Sequence, residues 1–339
     1  MKKQIFILAL IVIFCVKSFA QLGTPLTQYS GNQLLFNPAV AGLGDVLAVN
    51  LSVRKQWIQI PGSPSLMSLN AHMPIKNQRH ALGMVLQREE WGPMSGNFGY
   101  ANYAYKMEIH GNILSLGLQA GFYNSVVDWT KIEHVPDPDD PTLGKNRQAN
   151  TKLDVNVGLY WLTQGYYLGF SAKHLAPPKI DFTRDTFSNG GWYPHMSTQF
   201  YLMSGYEIPL QNDWKLRPEW LFRYVHRTPM AINVGMHAVY MNRYSLGTNL
   251  QTGQNTISFT VRGFVTDYLR IGYSYNLYFG AIQAAQQGTH EISMTYLHNQ
   301  LWEGGRRDLI RNRPVVRKQT RGRSAPVRRP SGGRPPMRR

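Results

Sequence analysis

A short acidic run is the clearest candidate for metal chemistry in this sequence. Asp137, Asp139 and Asp140 offer carboxylate oxygens, which are the ligands that Ca²⁺ prefers. Pro138 and Pro141 stiffen the run, however, and the glycine and distal glutamate of an EF-hand loop are missing. We therefore interpret the run as a solvated acidic loop, and the sequence predicts no metal site.

Motifs for catalysis are also missing from the sequence. The 10 histidines form no His-Glu-x-x-His pair, and there is no Gly-x-Ser-x-Gly elbow or phosphate-binding Gly-Lys-Ser/Thr. Ser68 and His72 lie close enough in sequence to suggest a hydrolase, but alternating strands bring many such pairs together by chance. Cys15, the 1 cysteine, falls in a predicted export signal, which removes thiol chemistry from the mature chain. The sequence predicts neither an enzyme nor a cofactor.

Residues 1–20 have the pattern of a cleaved export signal. Basic residues precede an apolar run over residues 5–16, and Ser18 and Ala20 supply small residues at a peptidase site. The run is roughly a dozen residues long, shorter than the roughly twenty that a membrane-spanning helix needs, so an uncleaved anchor is the weaker alternative. Cleavage leaves Gln21 as the first residue of the mature chain.

The net charge of +17 is unevenly distributed along the chain. Residues 306–339 contain 13 basic residues and 1 acid, whereas residues 21–305 contain 20 basic and 18 acidic residues. The body of the chain is therefore nearly neutral, and its composition gives no argument for nucleic-acid binding.

Alternation of apolar and polar residues dominates the body of the chain. In residues 113–123, for example, Leu114 and Leu116 share one face while Ser115 and Gln119 share the other. A period of two is typical of a strand with two different faces. After the export signal no apolar run reaches the roughly eighteen residues of a helical span. The pattern predicts strands at 45–58, 64–75, 80–90, 95–109, 112–124, 152–163, 165–172, 196–208, 214–225, 231–241, 243–250, 256–264, 268–279 and 288–298.

Connections between these predicted strands alternate in character. Long or proline-rich connections, including residues 125–151 and 173–195, alternate with tight turns such as residues 110–111. Outer-membrane barrels have short periplasmic turns and longer outer loops. A soluble β-sandwich also alternates, but aromatic residues at strand ends and frequent glycines within strands favour a barrel. We therefore predict an all-β fold, a transmembrane antiparallel β-barrel of about fourteen strands, in the outer membrane of a Gram-negative bacterium.

Short motifs in the first part of the chain resemble a known family. They are Asn37-Pro38-Ala39-Val40-Ala41-Gly42 before the first strand, Arg54-Lys55-Gln56-Trp57 at its end, and Pro61-Gly62-Ser63-Pro64 in the loop after it. In this order they resemble the PorP/SprF family of outer-membrane proteins of Bacteroidetes. The resemblance extends from about residue 21 to residue 298 and includes His290-Glu291-Ile292 in the closing strand.

These motifs also have a physical interpretation. Asn37–Pro38 is a turn dipeptide, because proline forces the residue before it out of the helical region. Gly42 permits a tight entry into the first strand. Arg54 and Gln56 fall on the face opposite Trp57, which predicts a polar inward pair behind an interfacial tryptophan. The alternative is that these residues, with Pro61 and Pro64, only build the barrel wall.

The resemblance implies a component of the type IX secretion and gliding-motility system. Members are barrels in outer-membrane lipid that associate with periplasmic and lipoprotein parts of that machinery, and they support secretion or surface attachment of cargo proteins through the cargo's C-terminal domain. The alternatives are a passive porin for small solutes, a soluble periplasmic β-protein and a barrel enzyme. The predicted parts are a signal at 1–20, a periplasmic entry segment at 21–44, the barrel at 45–302 and a tail at 303–339.

The tail is rich in Arg, Pro and Gly, a composition that cannot bury enough apolar surface to fold. We predict that it is disordered, hangs in the periplasm and docks on an acidic partner there, with a solvated tail of no dedicated partner as the alternative. Export makes nucleic acid an unsuitable partner. The predicted partner-binding residues are Arg306, Arg307, Arg311, Arg313, Arg317, Lys318, Arg321, Arg323, Arg328 and Arg329.

Overall fold

The computed structural model describes residues 26–44, 46–75, 78–132, 146–176, 197–226 and 228–298. The predicted export signal, the acidic run at 137–140 and the basic tail lie outside the described residues. Within the described part of the chain, no helix has both the length and the apolar character needed to cross a membrane.

The described residues form fourteen strands, when Ile208–Pro209 is counted with the strand that it continues. The strands are β1 Leu47–Lys55, β2 Ser65–Pro74, β3 His80–Trp91, β4 Met94–Ile109, β5 Asn112–Asp128, β6 Arg147–Leu162, β7 Tyr166–Lys173, β8 Gln199–Tyr206 with Ile208–Pro209, β9 Trp214–Val225, β10 Ala231–Tyr240, β11 Tyr244–Gln251, β12 Thr256–Phe264, β13 Leu269–Tyr278 and β14 Thr289–His298. Short 3₁₀ turns cover Tyr29–Gly31, Gln33–Leu35, Pro38–Val40, Trp129–Lys131 and Ala281–Ala285.

Each strand pairs antiparallel with the next, and the last pairs with the first. The closing register runs from Leu47 opposite His298 to Lys55 opposite His290. The sheet is therefore a closed barrel without a free edge, and its backbone groups are satisfied within the wall. This architecture confirms the predicted antiparallel β-barrel.

The barrel carries its apolar residues on the outside and its polar residues inside. On β5, Leu116, Leu118 and Phe122 are 43%, 49% and 48% exposed, whereas Ser115 and Gln119 are 0% and 2% exposed. A soluble protein has the reverse polarity, and an outward apolar surface of this kind is stable only against lipid. The alternation in the sequence thus gives each strand one lipid face and one interior face.

The two ends of the barrel differ in their connections. At one end, here called the turn end, residues 75–79, 110–111, 163–165, 210–213, 241–243 and 265–268 connect the strands, and β1 begins and β14 ends there. At the other end, the loop end, the connections are residues 56–64, 92–93, 129–146, 174–198, 226–230, 252–255 and 279–288.

Three predicted strand ends need correction. β5 continues to Asp128 and β6 begins at Arg147, so parts of the predicted loop at 125–151 belong to strands. The hydrogen-bonded pairing of β5 with β6 continues beyond the last apolar residues, because polar pairs extend it. Asn124 Nδ2, for example, donates to Thr151 Oγ1 at 2.7 Å. Trp57, which the sequence places on the outer face of the first strand, instead lies beyond the end of β1.

The backbone at Trp57 turns the side chain away from the predicted position. Its φ of 46° is in the left-handed region, where the period of two no longer holds. The indole packs edge-on against the buried ring of Tyr278, with 6.2 Å between ring centroids. Trp57 therefore covers the loop end of the interior.

The lipid-facing polarity leads to a test on β5. Leu118→Arg should lower the free energy of unfolding by about 2–4 kcal/mol, because it places a charge on the outer face of a strand within the apolar belt. Urea unfolding in lipid vesicles measures this change. Leu210→Arg is the matched control, since Leu210 is 54% exposed in a connection at the turn end. Equal effects of the two substitutions would contradict the lipid-facing assignment.

Candidate functional site

The interior of the barrel is occupied by the chain's own N-terminal segment. Residues 26–44, here called the plug, contain three 3₁₀ turns, and Tyr29, Asn37 and Ala39 are each 0% exposed. The sequence predicts residues 21–44 as a periplasmic entry segment, whereas the described part lies within the ring of strands. The plug needs this position because its apolar side chains and its unpaired turn carbonyls are covered only by the wall.

The plug begins near the loop end, where it binds a buried ion pair. Arg54 Nη1 of β1 lies 3.0 Å from Glu291 Oε2 of β14, and both side chains are fully buried. Glu291 accepts hydrogen bonds from the backbone N–H of Thr27 at 2.8 Å and of Gln28 at 2.9 Å. Arg54 Nη1 also donates to Thr27 Oγ1 at 2.7 Å. One carboxylate thus joins the first strand, the last strand and the plug.

Amide side chains hold the middle of the plug. Asn70 Nδ2 donates to Asn32 Oδ1 at 2.7 Å, and Asn32 Nδ2 donates to Ser52 Oγ at 3.3 Å. On the opposite side of the wall, Tyr160 OH donates to Gln33 Oε1 at 3.0 Å. Because buried polar groups are costly without partners, these contacts fix the depth of the plug.

The second half of the plug is held through its carbonyl groups by side chains of β4, β5 and β7. A 3₁₀ turn leaves carbonyls without internal partners, and here the wall supplies the donors. The bonds are Lys173 Nζ to Leu35 O at 2.8 Å, Ser171 Oγ to Phe36 O at 2.6 Å, Asn102 Nδ2 to Pro38 O at 3.1 Å, Ser115 Oγ to Ala39 O at 2.6 Å and Lys106 Nζ to Gly42 O at 2.7 Å.

Asn37 and Pro38 form the tightest part of this contact. Asn37 caps the turn Pro38–Val40 through its side-chain oxygen, and its Nδ2 donates to Leu159 O and Phe170 O of the wall. A Cβ added at Gly158 would lie 2.0 Å from Asn37 Oδ1, and one at Gly117 would lie 2.2 Å from Ala39 N. Glycine at these wall positions is therefore what allows the plug to approach so closely.

Near its end the plug turns at Gly42, which leads towards β1 at the turn end. Gly42 has a φ of 66°, and its N–H donates to His72 Nδ1 at 3.0 Å. His72 is thus engaged by the plug, and it lies four residues along β2 from Ser68, about 13 Å at the rise of a strand. These two residues are too far apart for the serine–histidine pair considered in the sequence.

The remaining motif residues lie at the loop end. Gln56 is 2% exposed, and its N–H donates to Pro64 O at 2.9 Å. Pro61 is exposed in the same connection. The structure therefore brings Asn37, Pro38 and Gly42 into the interior contact, and Arg54 with Gln56 into the loop-end wall; the basic tail residues lie outside the described residues.

Sequence analysis missed Glu291 and the wall glycines as parts of a site. Glu291 was noted only as part of a motif, yet alternation on β14 gives it the inward face, as it does for Arg54 on β1. Opposite charges on the inward faces of the first and last strands predict an ion pair across the closing seam, so this contact could have been found from the sequence. Gly117 and Gly158 gave no comparable signal, because their partner lies about 80 or more positions away along the chain.

A second buried cluster ties a loop to the wall. Asp154 Oδ2 accepts from Tyr100 OH at 2.6 Å and lies 2.7 Å from His174 Nδ1, just past the end of β7. Burial lowers the pKa of His174, against the opposing effect of Asp154. His174 O accepts from Thr198 Oγ1 at 2.9 Å, so both ends of the connection 174–198 are fixed at one point.

An open space remains beside the plug towards the turn end. This turn-end cavity has a volume of about 180 Å³ and lies between the plug and the wall, with a lining formed by β9–β14 and by residues of β1, β2 and β6. Its charged wall consists of Arg217, Arg243, Arg262 and Arg270, and its apolar wall includes Leu34 and Leu43 of the plug. The described residues hold no cluster of histidine, cysteine or acidic residues suited to a metal ion.

Comparison with known proteins gives one family match. A family model described as type IX secretion system membrane protein PorP/SprF matches residues 18–296. Curated proteins gave no match. Among solved structures, the chain is similar to the toluene transporter TodX of Pseudomonas putida, with a TM-score of 0.46, 11% identity and coverage of 79% of this chain and 94% of that one. It is also similar to the Acinetobacter baumannii outer membrane protein Omp33, with a TM-score of 0.43, 7% identity and coverage of 75% and 99%.

The plug anchor leads to a stability test with a matched control. Glu291→Ala should lower the free energy of unfolding by about 3–5 kcal/mol, because it leaves Arg54 buried without its carboxylate. Glu90→Ala removes the partner of Arg88 in an ion pair that is 57% and 44% exposed, and it should cost about 0–1 kcal/mol. Urea midpoints in lipid vesicles compare the two variants. A loss at Glu291 no larger than at Glu90 would show that the anchor contributes little.

Proposed function

Since the chain belongs to the PorP/SprF family of type IX secretion system membrane proteins, we propose that it is a non-catalytic outer-membrane component of that machinery. It supports secretion or surface attachment of cargo proteins through their C-terminal domains. The family match carries this proposal, because it covers the plug and almost the whole barrel in one span, residues 18–296.

The filled interior supports this role over that of a passive porin. A porin needs a continuous aqueous path, whereas here the plug crosses from the Arg54–Glu291 pair near the loop end to Gly42 at the turn end. Its backbone is bonded to several strands on the way, so opening a path requires breaking many contacts together. A barrel closed in this way is suited to holding proteins at its two ends.

The orientation follows from the two kinds of connection. We place the loop end outside the cell and the turn end in the periplasm, as in other barrels with short periplasmic turns. The cleaved signal at 1–20 delivers the chain to this membrane. Because β14 ends at the turn end, the tail that follows it starts on the periplasmic side.

The tail gives the proposed machinery a periplasmic contact. Arginine guanidinium groups bind carboxylates in a bidentate manner, and many weak contacts along one chain add through effective concentration. Residues 306–339 hold 13 basic residues and 1 acid, a net charge of +12, which suits an acidic periplasmic or lipoprotein partner. Salt should weaken such contacts.

A pull-down of the full-length protein from native membranes tests the function. Cargo proteins with their C-terminal domains, together with periplasmic parts of the machinery, should be recovered. Truncation after Gly305 should reduce recovery of periplasmic partners, more at low than at moderate salt, because salt already weakens the tail's contacts in the full-length protein. The barrel should keep its heat-modifiable migration on mild SDS gels. If the truncated protein recovers every partner at both salt concentrations, tail docking is wrong; if the full-length protein recovers no cargo, the proposed function is wrong.

Conductance in planar bilayers separates the secretion component from the porin. The native protein should conduct little, whereas Gly158→Val should conduct more, because the added side chain occupies the position of Asn37 Oδ1. Gly44→Ala is the control in the plug, where the nearest atom to an added Cβ lies at an ordinary 3.4 Å. High conductance of the native protein, unchanged by Gly158→Val, would favour the porin.

A further inference from the structure

The turn-end cavity combines features that point to a ligand. Its described lining contains the four arginines 217, 243, 262 and 270 and no aspartate or glutamate. Carboxylates outside the lining lie near these arginines: Glu207 beside Arg217, Asp267 at 2.8 Å from Arg243, and the buried Glu219 near Arg262. The cavity surface itself therefore presents positive charge, and charge of one sign within a low-dielectric wall attracts an anion.

Unpartnered donors are found at the same place. Arg262 is 6% exposed, and its Nε has no hydrogen-bond partner among the described residues, although its terminal nitrogens contact Ser30 and His237. Gln33 of the plug also lines the cavity, and its Nε2 is buried without a described partner. Both groups can only donate, so an acceptor is what would satisfy them.

The apolar part of the lining restricts the class of ligand further. Leu34, Val40 and Leu43 of the plug, with Phe264 and Leu297 of the wall, face the same space as the arginines. An inorganic anion would leave this apolar surface without a partner, whereas an apolar chain with a carboxylate at its end would cover both parts. A volume of about 180 Å³ holds the end of a peptide but not a folded domain.

We propose that the turn-end cavity binds the carboxylate-bearing, apolar C-terminal end of a polypeptide that enters from the turn end. The arginines hold the carboxylate, Gln33 donates to a peptide carbonyl, and the plug leucines contact the apolar side chain. The chain's own tail does not suit the cavity, because it is strongly basic. This assignment rests on the proposed function, in which the barrel holds a segment of another protein.

Purified full-length protein in detergent allows a direct binding test. The probe is the tetrapeptide Gly-Gly-Val-Leu, labelled at its N-terminus and ending in a free carboxylate, and the comparison is the same peptide with a C-terminal amide. Fluorescence anisotropy at physiological salt should show about tenfold or more tighter binding of the carboxylate form, since hydrogen bonds to charged groups contribute about 1.5–3 kcal/mol. Equal binding of the two forms, or no binding of either, overturns the proposal.

Variants locate the site and separate it from other causes. Arg262→Gln and Arg270→Gln should each remove most of the preference for the carboxylate, whereas Arg88→Gln, at the loop end, should leave it unchanged. Heat-modifiable migration shows that each variant is folded. A loss of equal size in Arg88→Gln places the binding elsewhere and overturns the proposal.

Two further outcomes distinguish the ligand source and the underlying function. If inorganic phosphate displaces the peptide at equal concentration, the cavity is a phosphate site and the peptide assignment is wrong. If the native protein recovers cargo from membranes but does not bind the peptide, the cavity assignment fails while the proposed function stands. If the peptide binds through Arg262 and no cargo is recovered, the cavity assignment stands while the proposed function fails.

Discussion

Closure of the strand ring is the constraint on which the rest of the structure depends. Lipid offers no hydrogen bonds, so each strand must pair on both sides, and β14 must return to β1. Since one face of every strand then meets lipid, the polar residues of the alternating pattern turn inward. The ring thereby encloses a polar space, and buried polar groups require partners. The plug supplies those partners with its backbone carbonyls, its amide side chains and its N–H groups, as the bonds of Ser115, Asn102 and Glu291 show.

The plug and the wall therefore supply each other's hydrogen-bond partners, and neither could satisfy its polar groups alone. A free 3₁₀ segment in water would leave its carbonyls to solvent, and an empty polar barrel would fill with water. Beside the plug they leave the turn-end cavity, whose charged lining consists of arginines. The filled and the open parts of the interior thus have different chemistry: amide and hydroxyl contacts around Asn32 and Asn37, and arginine around the cavity. The proposed peptide site thus lies in the open, arginine-lined part of the interior.

The strands could be predicted from the sequence, because a period of two is a local signal that needs no knowledge of the partner strand. The count and nearly all the boundaries follow from it, and the errors occur where polar pairs such as Asn124 with Thr151 prolong a ladder beyond the apolar belt. The position of the plug could not be predicted in this way. Its Asn-Pro motif indicates a turn, but the contacts that place it come from Gly117, Gly158 and Ser171, far along the chain. Alternation also predicts that Arg54 and Glu291 point inward. Their shared contact with the plug can be seen only in the three-dimensional structure.

The place of Glu291 has a consequence for the order of assembly. The residues that it holds, Thr27 and Gln28, come from the beginning of the described chain, whereas Glu291 belongs to the final strand. The segment that precedes the whole wall therefore gains its outermost attachment only when the last strand arrives. Contacts of such large sequence separation form late. The first turn of the plug is therefore fixed only when the β1–β14 seam closes, whereas its second half can already bond to β4, β5 and β7. Closure of the ring thus completes the seating of a segment that the earlier strands have begun to hold.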